Sequence, residues 1–521
     1  MQTIADLLLA RSEDTATALL FEDQRVTWAE HVRISLSWAG RIRAMLDPDL
    51  PPHVGILLDN VPEFSYLLGA AALGGVVAVC LNETRSAPEL EQDARRTDCQ
   101  MVFTDDAHRH LIDGFDVREL TGTDGIHRPD PVDLFALVFT SGTSGDPKAV
   151  RCTHSKVVTP GIMLAERFGL GPADTVYVSM PLFHSNAIMA GWAVAVASGA
   201  NLALRRKFSA SGFLPDVRKF DATYANYVGT PLSYVLATPA SPDDTDNPLR
   251  VVYGNEATPG AATEFARRFD VHVVDGFGSS EGGISIARTP DTPADALGPL
   301  PEGVSILDAD GRECACGVIG ELVNVSGRGM FCGYYDDQRA DADRMRDGMY
   351  FSGDLAYRDT DGYAYFAGRT SGWMRVGGEN LAAAPIERIL LRHHAIDAVC
   401  VYGVQTDGPG DRVMAAIVAP ELDISELAAF LSDQPDLSSR AYPRLIRVCA
   451  ALPRTATHKV LARELQHESW HTDDPVWYSP ARGEAFEPFD TSCGRTSFDP
   501  HSHFDSPHTA QNVWAATRHD A

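Results

Sequence analysis

The amino-acid sequence predicts an α/β fold divided into more than one domain, and three observations support this prediction. Short runs rich in β-branched residues alternate with longer amphipathic stretches, as in PHVGILLDN, VPEFSYLLGAAALGG and VVAVCLN, a pattern typical of strands joined by helices. The 521 residues, 44% hydrophobic and 22% charged, are enough for several globular domains. The pattern is interrupted at GRTSG, residues 368–372, and then resumes.

Two long apolar runs predict buried helices rather than membrane spans. The run 66–81 is shorter than the roughly 18 to 20 residues that a spanning helix needs, and Gly74 and Gly75 interrupt it. We interpret it as a buried helix followed by a strand, and the run 187–197 as a core helix of small residues. The N-terminal segment contains acidic residues and no basic start, so it does not read as a signal peptide.

The interruption at GRTSG places a domain boundary after residue 369. We expect a large N-terminal domain of layered sheets and helices over 1–369 and a small α+β C-terminal domain over 370–468. The last segment, 469–521, is rich in His, Asp, Pro and Ser and has few aliphatic residues, a composition that predicts a disordered tail.

Charge and cysteine content narrow the choice of partners and compartment. The net charge of −27, from 71 acidic and 44 basic residues, repels nucleic acid and anionic lipid, so neither is expected as a general partner. The basic cluster Arg205, Arg206 and Lys207 could meet phosphates or a membrane face, or lie in a solvated loop. Nine cysteines without a CxxC pair fit neither a disulfide framework nor a zinc site. We therefore expect a cytoplasmic protein.

The segment TSGTSGDPKAV, residues 140–150, follows the apolar run LFALVF and predicts an anion-binding loop. Glycines and small hydroxylated residues after a strand let backbone N–H groups surround an anion, and Lys148 adds a positive charge. The expected ligand is a polyphosphate. The segment is not a Walker A loop, because Lys148 follows Pro147 and precedes Ala149 instead of standing between a glycine and a hydroxyl.

This loop, followed by Cys152-Thr-His, resembles the phosphate loop of the adenylate-forming superfamily of acyl-CoA ligases, luciferases and peptide-synthetase adenylation domains. Further motifs occur in that family's order: MPLFHSN (180–186), DGFGSSEGG (275–283), YFSGDLAYRDTDGYAYFAGR (350–369), VGGEN (376–380) and PRTATHKV (453–460). Residues 204–239 and YGNE (253–256) look most like the long-chain fatty acyl-CoA synthetase and fatty-acid-transport-protein branch, especially actinobacterial fatty-acid–CoA ligases. The resemblance covers residues 20–467 and implies a large adenylate-forming domain with a small mobile C-terminal lid.

The resemblance assigns residues to ATP and Mg²⁺. The β- and γ-phosphates would be held by Thr140, Ser141, Gly142, Thr143, Ser144, Gly145 and Lys148. The nucleotide site and the neighbouring acid pocket would further draw on Gly254, Asn255, Glu256, Asp275, Gly276 and Phe277, the last lying near adenine. Asp354 would accept hydrogen bonds from the ribose hydroxyls, and Arg369 would reach the ribose and phosphates.

Four residues are expected to act at the reacting groups. Ser280, which replaces a more common threonine, would contact the α-phosphate, and Glu281 would help to hold Mg²⁺. His184 would border the acyl pocket. Lys459 would reach the substrate carboxylate and the α-phosphate, where the charge of the transition state concentrates.

Two positions depart from the family pattern. Gly372 replaces the acidic hinge residue, although glycine tolerates large backbone rotations, and His458 stands where glycine is usual. The family's domain swing would replace Lys459 with the VGGEN segment, in which Gly377, Gly378 and Glu379 would line the pantetheine approach.

The resemblance implies an ATP-dependent, AMP-forming ligase that activates a carboxylic acid, with a fatty acid as first choice, and transfers it to CoA. Alternatives are an aryl-acid CoA ligase or carrier-protein loader, and an ATP-dependent diazotase that activates nitrite for transfer to an aryl amine. The alternative that is not an enzyme is a non-catalytic nucleotide-binding or scaffolding protein. A decayed site should have lost some of its functional residues, and this chain retains Lys148, Glu281, Asp354, Arg369 and Lys459.

Overall fold

The computed structural model describes residues 2–120, 122, 126–140, 147–229, 231–257, 259–376, 379–405, 410–454 and 460–489. These residues group into two compact units. Unit 1 comprises those within Met1–Gly303 and Asn324–Phe351, and unit 2 those within Val304–Val323, Ser352–Thr455 and Lys459–Ala521. The chain thus enters unit 2 before residue 369, and the mobility expected for 370–468 stays a prediction.

The strands are β1 Thr17–Phe21, β2 Gln24–Thr27, β3 His53–Ile56, β4 Val77–Cys80, β5 Cys99–Thr104, β6 Phe115–Asp116, β7 Leu134–Thr140, β8 Lys148–Thr153, β9 Thr175–Val178, β10 Asn201–Leu204, β11 Tyr224–Val228, β12 Val251–Asn255, β13 His272–Gly278, β14 Ser285–Ile286, β15 Gly298–Pro299, β16 Val304–Leu307, β17 Gly320–Asn324, β18 Met345–Arg346, β19 Met349–Arg358, β20 Tyr363–Arg369, β21 Met374–Val376, β22 Glu379–Leu381, β23 Ala398–Gln405, β24 Asp411–Val418, β25 Leu445–Val448, β26 Val476–Tyr478 and β27 Glu487–Pro488.

The helices are α1 Ile4–Leu9, α2 Trp28–Met45, α3 Pro62–Gly74, α4 Ala87–Arg96, α5 His154–Phe168, α6 Ser185–Ala187, α7 Ala193–Ser198, α8 Ala210–Lys219, α9 Pro231–Leu236, α10 Pro259–Phe269, α11 Gln338–Arg344, α12 Ala383–Leu390, α13 Ile424–Ser432 and α14 Ala462–Glu468. A π-helical turn, Ile188–Trp192, joins α6 to α7, and 3₁₀ turns cover Val117–Glu119 and Thr370–Gly372. None of the helices in the described part of the chain combines the length and apolarity needed to cross a bilayer.

Unit 1 is built on two sheets that are mainly parallel. One has the order β14-β13-β12-β11-β9-β10-β1-β2, and the other has the order β6-β5-β3-β4-β7-β8. Strands β2, β8 and β14 pair antiparallel at the sheet edges. Helices connect the parallel strands, as the alternation in the sequence predicts, and the expected α/β class is confirmed.

Both apolar runs lie in the core of unit 1. The run 66–81 forms most of α3 and then β4, as predicted, and the side chains of α3 from Phe64 onward are buried. Gly75 ends α3 with φ 63°, a left-handed conformation that favours glycine. The run 187–197 contributes to the π-helical turn and to α7, and nearly all of its side chains are buried.

Unit 2 has α+β character, as expected for the C-terminal region. Its strands form the five-stranded sheet β23-β24-β25-β26-β27, the hairpin β21-β22 and the ladder β20-β19-β17-β16. Helices α12 and α13 contribute Ile386, Ile389, Leu427 and Leu431 to the apolar core on one face of the five-stranded sheet.

The prediction of a disordered tail from residue 469 is wrong for residues 470–489. Strand β26 pairs antiparallel with β25, and β27 pairs with β26. Phe486 is 6% exposed, and its ring stacks on Tyr442 with centroids 6.1 Å apart. A low aliphatic content concealed this segment, because a short edge strand needs few apolar residues to join an existing sheet. Residues 490–521 lie outside the described part.

The packing of Phe486 predicts that it stabilises unit 2. Phe486→Ala should lower the free energy of unfolding by about 3 kcal/mol, because truncating a buried phenylalanine loses apolar burial and leaves a cavity. Leu391→Ala is the matched control: Leu391 is 42% exposed, and its truncation should cost less than about 0.5 kcal/mol. Urea denaturation measures the free energy of unfolding of both variants. If the two substitutions have equally small effects, the packing of Phe486 is contradicted.

Candidate active site

The ends of the predicted phosphate loop are held by the β7-β8 hairpin. Thr140 and Lys148 face each other in the antiparallel register. The Lys148 Nζ atom lies 5.2 Å from the centroid of the Tyr334 ring, a distance at which an ammonium is attracted to the ring face. Ser141, Gly142, Thr143, Ser144 and Gly145 lie outside the described residues, so their roles stay predictions.

Glu281 is a buried carboxylate with several fixed contacts. The Tyr334 hydroxyl donates a hydrogen bond of 2.9 Å to Oε1 of Glu281, and the Lys156 ammonium donates one of 2.9 Å to its backbone carbonyl. The Arg344 Nε atom donates to the Tyr334 hydroxyl over 3.3 Å. Burial alone would raise the pKa of Glu281, but the charge of Arg344 and the hydrogen bonds from Tyr334 and Ser279 outweigh it and lower the pKa. An ionised carboxylate fits the oxygen ligands that Mg²⁺ prefers.

Ser280 belongs to a polar network between two segments of unit 1. Its hydroxyl lies 2.6 Å from that of Ser185. Next to Ser185, the Asn186 side chain donates to Oδ1 of Asn255 over 3.2 Å and accepts from Asn226 over 2.7 Å. The structure thus brings the PLFHSN, YGNE and GFGSSEGG motifs together at one place.

His184 is half-buried and caps α6. Its Nδ1 atom accepts a hydrogen bond of 3.3 Å from the backbone N–H of Asn186. Since Nδ1 is the acceptor, a proton on a neutral ring is on Nε2. The position of His184 is compatible with the predicted place at the border of the acyl pocket, and this role stays a prediction.

The YGNE and GFGSSEGG motifs occupy the carboxyl ends of adjacent parallel strands. In the β12-β13 register, Gly254 faces Asp275 and Asn255 faces Gly276, and the Asn255 side chain donates to the Gly276 carbonyl over 2.6 Å. Glycine is required at 254, because a Cβ there would lie 2.2 Å from the backbone oxygen of Tyr227. Ligand sites of open α/β sheets characteristically lie at this edge.

Glu256 and Phe277 lie beside these strand ends. Glu256 has φ 67°, a left-handed conformation that non-glycine residues adopt at a cost and that often marks a functional site. Phe277 pairs with Ile286 between β13 and β14. The structure is compatible with the expected adenine contact of Phe277 and does not test it.

Asp275 is held by two hydrogen bonds. The Tyr227 hydroxyl donates to Oδ1 over 2.6 Å, and the Ala257 backbone N–H donates to the same atom over 3.0 Å. Burial raises the pKa of Asp275 to about 6, despite both hydrogen bonds. Close to neutral pH, this carboxyl therefore carries a partial proton population.

Unit 2 contains the predicted ribose residues. Asp354 and Arg369 face each other in the antiparallel pair β19-β20, and the Arg369 Nε atom lies 3.2 Å from Oδ1 of Asp354. Asp354 is 5% exposed, and its backbone N–H donates to the Ser352 hydroxyl over 3.0 Å. The pairing holds the two expected ribose ligands next to each other.

Several predicted residues of the C-terminal region lie outside the described part of the chain, so their roles stay predictions. Lys459, His458, Gly377 and Gly378 lie outside the described residues, as does the side chain of Glu379. Gly372 ends a 3₁₀ turn, and a Cβ there would meet no atom within 4 Å. The observed conformation therefore does not require glycine at 372, and its role as a hinge stays a prediction.

The basic cluster at 205–207 is largely neutralised by carboxylates of unit 1. Arg205 forms an ion pair with Asp216, and Lys207 Nζ lies 3.1 Å from Oδ1 of Asp59. Arg206 pairs with Glu22 over 3.4 Å. The cluster thus contributes less net positive charge than its sequence indicates.

Sequence reasoning missed the residues that surround Glu281 and Ser280. Tyr334, Lys156 and Arg344 come from separate segments, and Ser185 comes from a motif in which His184 was singled out. The sequence carries no periodic or spacing signal that links these positions to Glu281, because the contacts form only after the two sheets of unit 1 are assembled.

Comparisons with known families identify the family to which the fold belongs. The model of the AMP-binding enzyme family matches residues 9–335, and that of the AMP-binding enzyme C-terminal domain matches residues 385–459. The chain belongs to the AMP-binding enzyme family. This confirms the predicted resemblance and the expectation of an enzyme.

Two curated relatives and one solved structure show how far the similarity extends. The medium/long-chain-fatty-acid–CoA ligase FadD17 of Mycobacterium marinum is 53% identical over 91% of this chain and 98% of its own. The steroid-22-oyl-CoA synthetase of Rhodococcus jostii is 43% identical over 92% and 94%. The o-succinylbenzoate CoA synthetase of Bacillus subtilis, solved with ATP and magnesium, is 26% identical over 88% and 98%, with a TM-score of 0.76.

The raised pKa of Asp275 predicts a pH-dependent stability. In the folded chain the pKa of about 6 exceeds the ordinary aspartate value of 3.8. The stability contributed by the protonated carboxyl is therefore fully present below about pH 4 and is lost as the pH rises through about 6. The difference corresponds to about 3 kcal/mol. Asp275→Asn keeps an acceptor for Tyr227 and should gain stability relative to the wild type between pH 4 and 7. Urea denaturation at several pH values measures this, and parallel curves for the two proteins would contradict it.

Proposed function

We propose that this enzyme activates a medium- or long-chain fatty acid with ATP and transfers the acyl group to CoA. The observation that carries the proposal is the 53% identity to a medium/long-chain-fatty-acid–CoA ligase along nearly the whole chain.

In the first half-reaction, a carboxylate oxygen forms a bond to the α-phosphorus of ATP while the bond from that phosphorus to the bridging oxygen of pyrophosphate breaks. Two anions meet in this step, so positive charge and hydrogen-bond donors must surround the phosphates. We assign Lys148 to the phosphates, Ser280 to the α-phosphate and His184 to the edge of the acid site. Glu281 would hold Mg²⁺, which supplies further neutralising charge when it is bound with ATP.

In the second half-reaction, the CoA thiol, which loses its proton, attacks the acyl carbon, and AMP leaves with the electron pair of the broken C–O bond. We assign Lys459 to the first half-reaction and the VGGEN segment to the pantetheine path in the second. Asp354 and Arg369 would hold the ribose in both. The diazotase alternative is not favoured, because both curated relatives described above are CoA-thioester-forming by name.

Product analysis tests this function. The protein is incubated with MgATP and a pool of aliphatic, aryl and steroid side-chain acids, with and without CoA, and in parallel with nitrite and an aryl amine. We expect AMP together with a medium- or long-chain acyl-CoA by mass spectrometry. A steroid or aryl CoA thioester as the product would show that the substrate is not the proposed fatty acid. AMP formed only with nitrite would overturn the proposal.

The ribose assignment predicts a selective loss of nucleotide affinity. Asp354→Ala should weaken ATP binding about tenfold or more, because two ribose hydroxyls lose a charged acceptor. The control is Asp359→Ala, which removes a carboxylate at a surface turn of the same unit that accepts a hydrogen bond of 3.0 Å from the Tyr365 hydroxyl. This substitution should leave ATP affinity unchanged. Isothermal titration calorimetry measures both; an unaltered dissociation constant for Asp354→Ala would remove this residue from the nucleotide site.

A further inference from the structure

We propose that Tyr334 is a positioning residue that holds the Glu281 carboxylate in place for the metal and couples it to Lys148 of the phosphate loop. This inference rests on the proposed function, since it concerns the Mg²⁺ and ATP phosphates of the same site. Tyr334 lies outside every motif that identified the family, in the segment GYYDD.

The hydroxyl of Tyr334 joins two charged groups. It donates to Oε1 of Glu281 over 2.9 Å and accepts from Nε of Arg344 over 3.3 Å. Arg344 is itself anchored, because its Nη1 atom donates to the backbone carbonyl of Phe351 over 3.3 Å. Tyr334 is 3% exposed. The hydroxyl therefore has one acceptor and one donor in fixed positions, which sets the orientation of the carboxylate.

The ring and the backbone of Tyr334 also connect this residue to the strand that follows the phosphate loop. Tyr334 forms an antiparallel bridge with Val150 of β8, and flanking backbone hydrogen bonds link Arg151 to Gly333 over 3.0 Å and Tyr335 to Ala149 over 2.8 Å. These bonds fix the register between Tyr334 and the strand that begins with Lys148. The Lys148 ammonium faces the ring of Tyr334 at 5.2 Å.

Tyr334 thus contacts both a carboxylate that suits a metal and a lysine that suits phosphate. A metal bound to a carboxylate is sensitive to the groups that orient that carboxylate, and loss of such a partner typically weakens metal affinity by about 10- to 100-fold. Removing the Tyr334 hydroxyl should therefore alter the dependence of ATP binding on Mg²⁺, which a purely structural role would leave unchanged.

The test compares Tyr334→Phe with Tyr335→Phe. The control Tyr335 stands next in the chain, and its hydroxyl donates to Oδ2 of Asp98 over 2.7 Å, so each substitution removes one tyrosine–carboxylate hydrogen bond. Calorimetric titration with ATP at increasing Mg²⁺ requires no knowledge of the acid. We expect Tyr334→Phe to raise the Mg²⁺ concentration for half-maximal ATP binding about tenfold, and Tyr335→Phe to match the wild type.

A double-variant cycle separates positioning from independent effects. If Tyr334 acts through Glu281, Tyr334→Phe adds nothing to the shift caused by Glu281→Gln.

The inference is overturned if Tyr334→Phe and Tyr335→Phe show the same Mg²⁺ dependence, or if the effects of Tyr334→Phe and Glu281→Gln are additive. Failure of the proposed function gives a different result: wild-type protein would yield no acyl-CoA from any acid, while the calorimetric comparison of the two tyrosine variants would still decide the role of Tyr334.

Discussion

Burial of the Glu281 carboxylate is the constraint around which the site in unit 1 is arranged. A charged carboxylate that leaves water without compensation would take up a proton instead, and a neutral acid is a poor metal ligand. The charge of Arg344 and the hydrogen bond from Tyr334 prevent this outcome, and Lys156 anchors the backbone of Glu281 through its carbonyl. Tyr334 and Arg344 lie more than 50 residues beyond Glu281 in the chain, so the ionisation of Glu281 depends on the correct assembly of unit 1.

Sheet topology explains why the remaining polar groups converge. Strands β11, β12 and β13 are parallel neighbours, so their carboxyl ends lie at one edge. Asn226, Asn255 and Asp275 stand at or near these ends and hydrogen-bond to neighbouring strands or loops. On the helix-covered face of the same sheet, Tyr227 and Val252 pack in the apolar core with Phe213 and Phe265. The same strands thereby anchor the sheet to its helices and hold polar groups at one edge.

The sequence predicts those parts of the structure that depend on local patterns. The run 66–81 has a composition and a glycine break that specify a helix and a strand, and both form. The ordered motifs identify the family, because each retains a short local pattern, such as the glycines and polar residues of GFGSSEGG. The environment of Glu281 could not be predicted, since Lys156 and Tyr334 reach it only through long-range packing. The segment 470–489 was missed because it has few aliphatic residues, whereas its aromatic residues, among them Trp477, Tyr478 and Phe486, provide much of its apolar packing.

The cations near Tyr334 and Glu281 contrast with the negative net charge of the whole chain. With 71 acidic and 44 basic residues, the chain as a whole repels a polyanion such as ATP. Lys148 faces the Tyr334 ring, Arg344 bonds the Tyr334 hydroxyl, and Lys156 bonds the backbone carbonyl of Glu281, so three cations lie close to these two residues. Their charge is less screened than it would be at an exposed surface. A polyphosphate is therefore attracted to this part of unit 1 against the field of the rest of the protein, and the charge of Arg344 also favours the ionised form of Glu281.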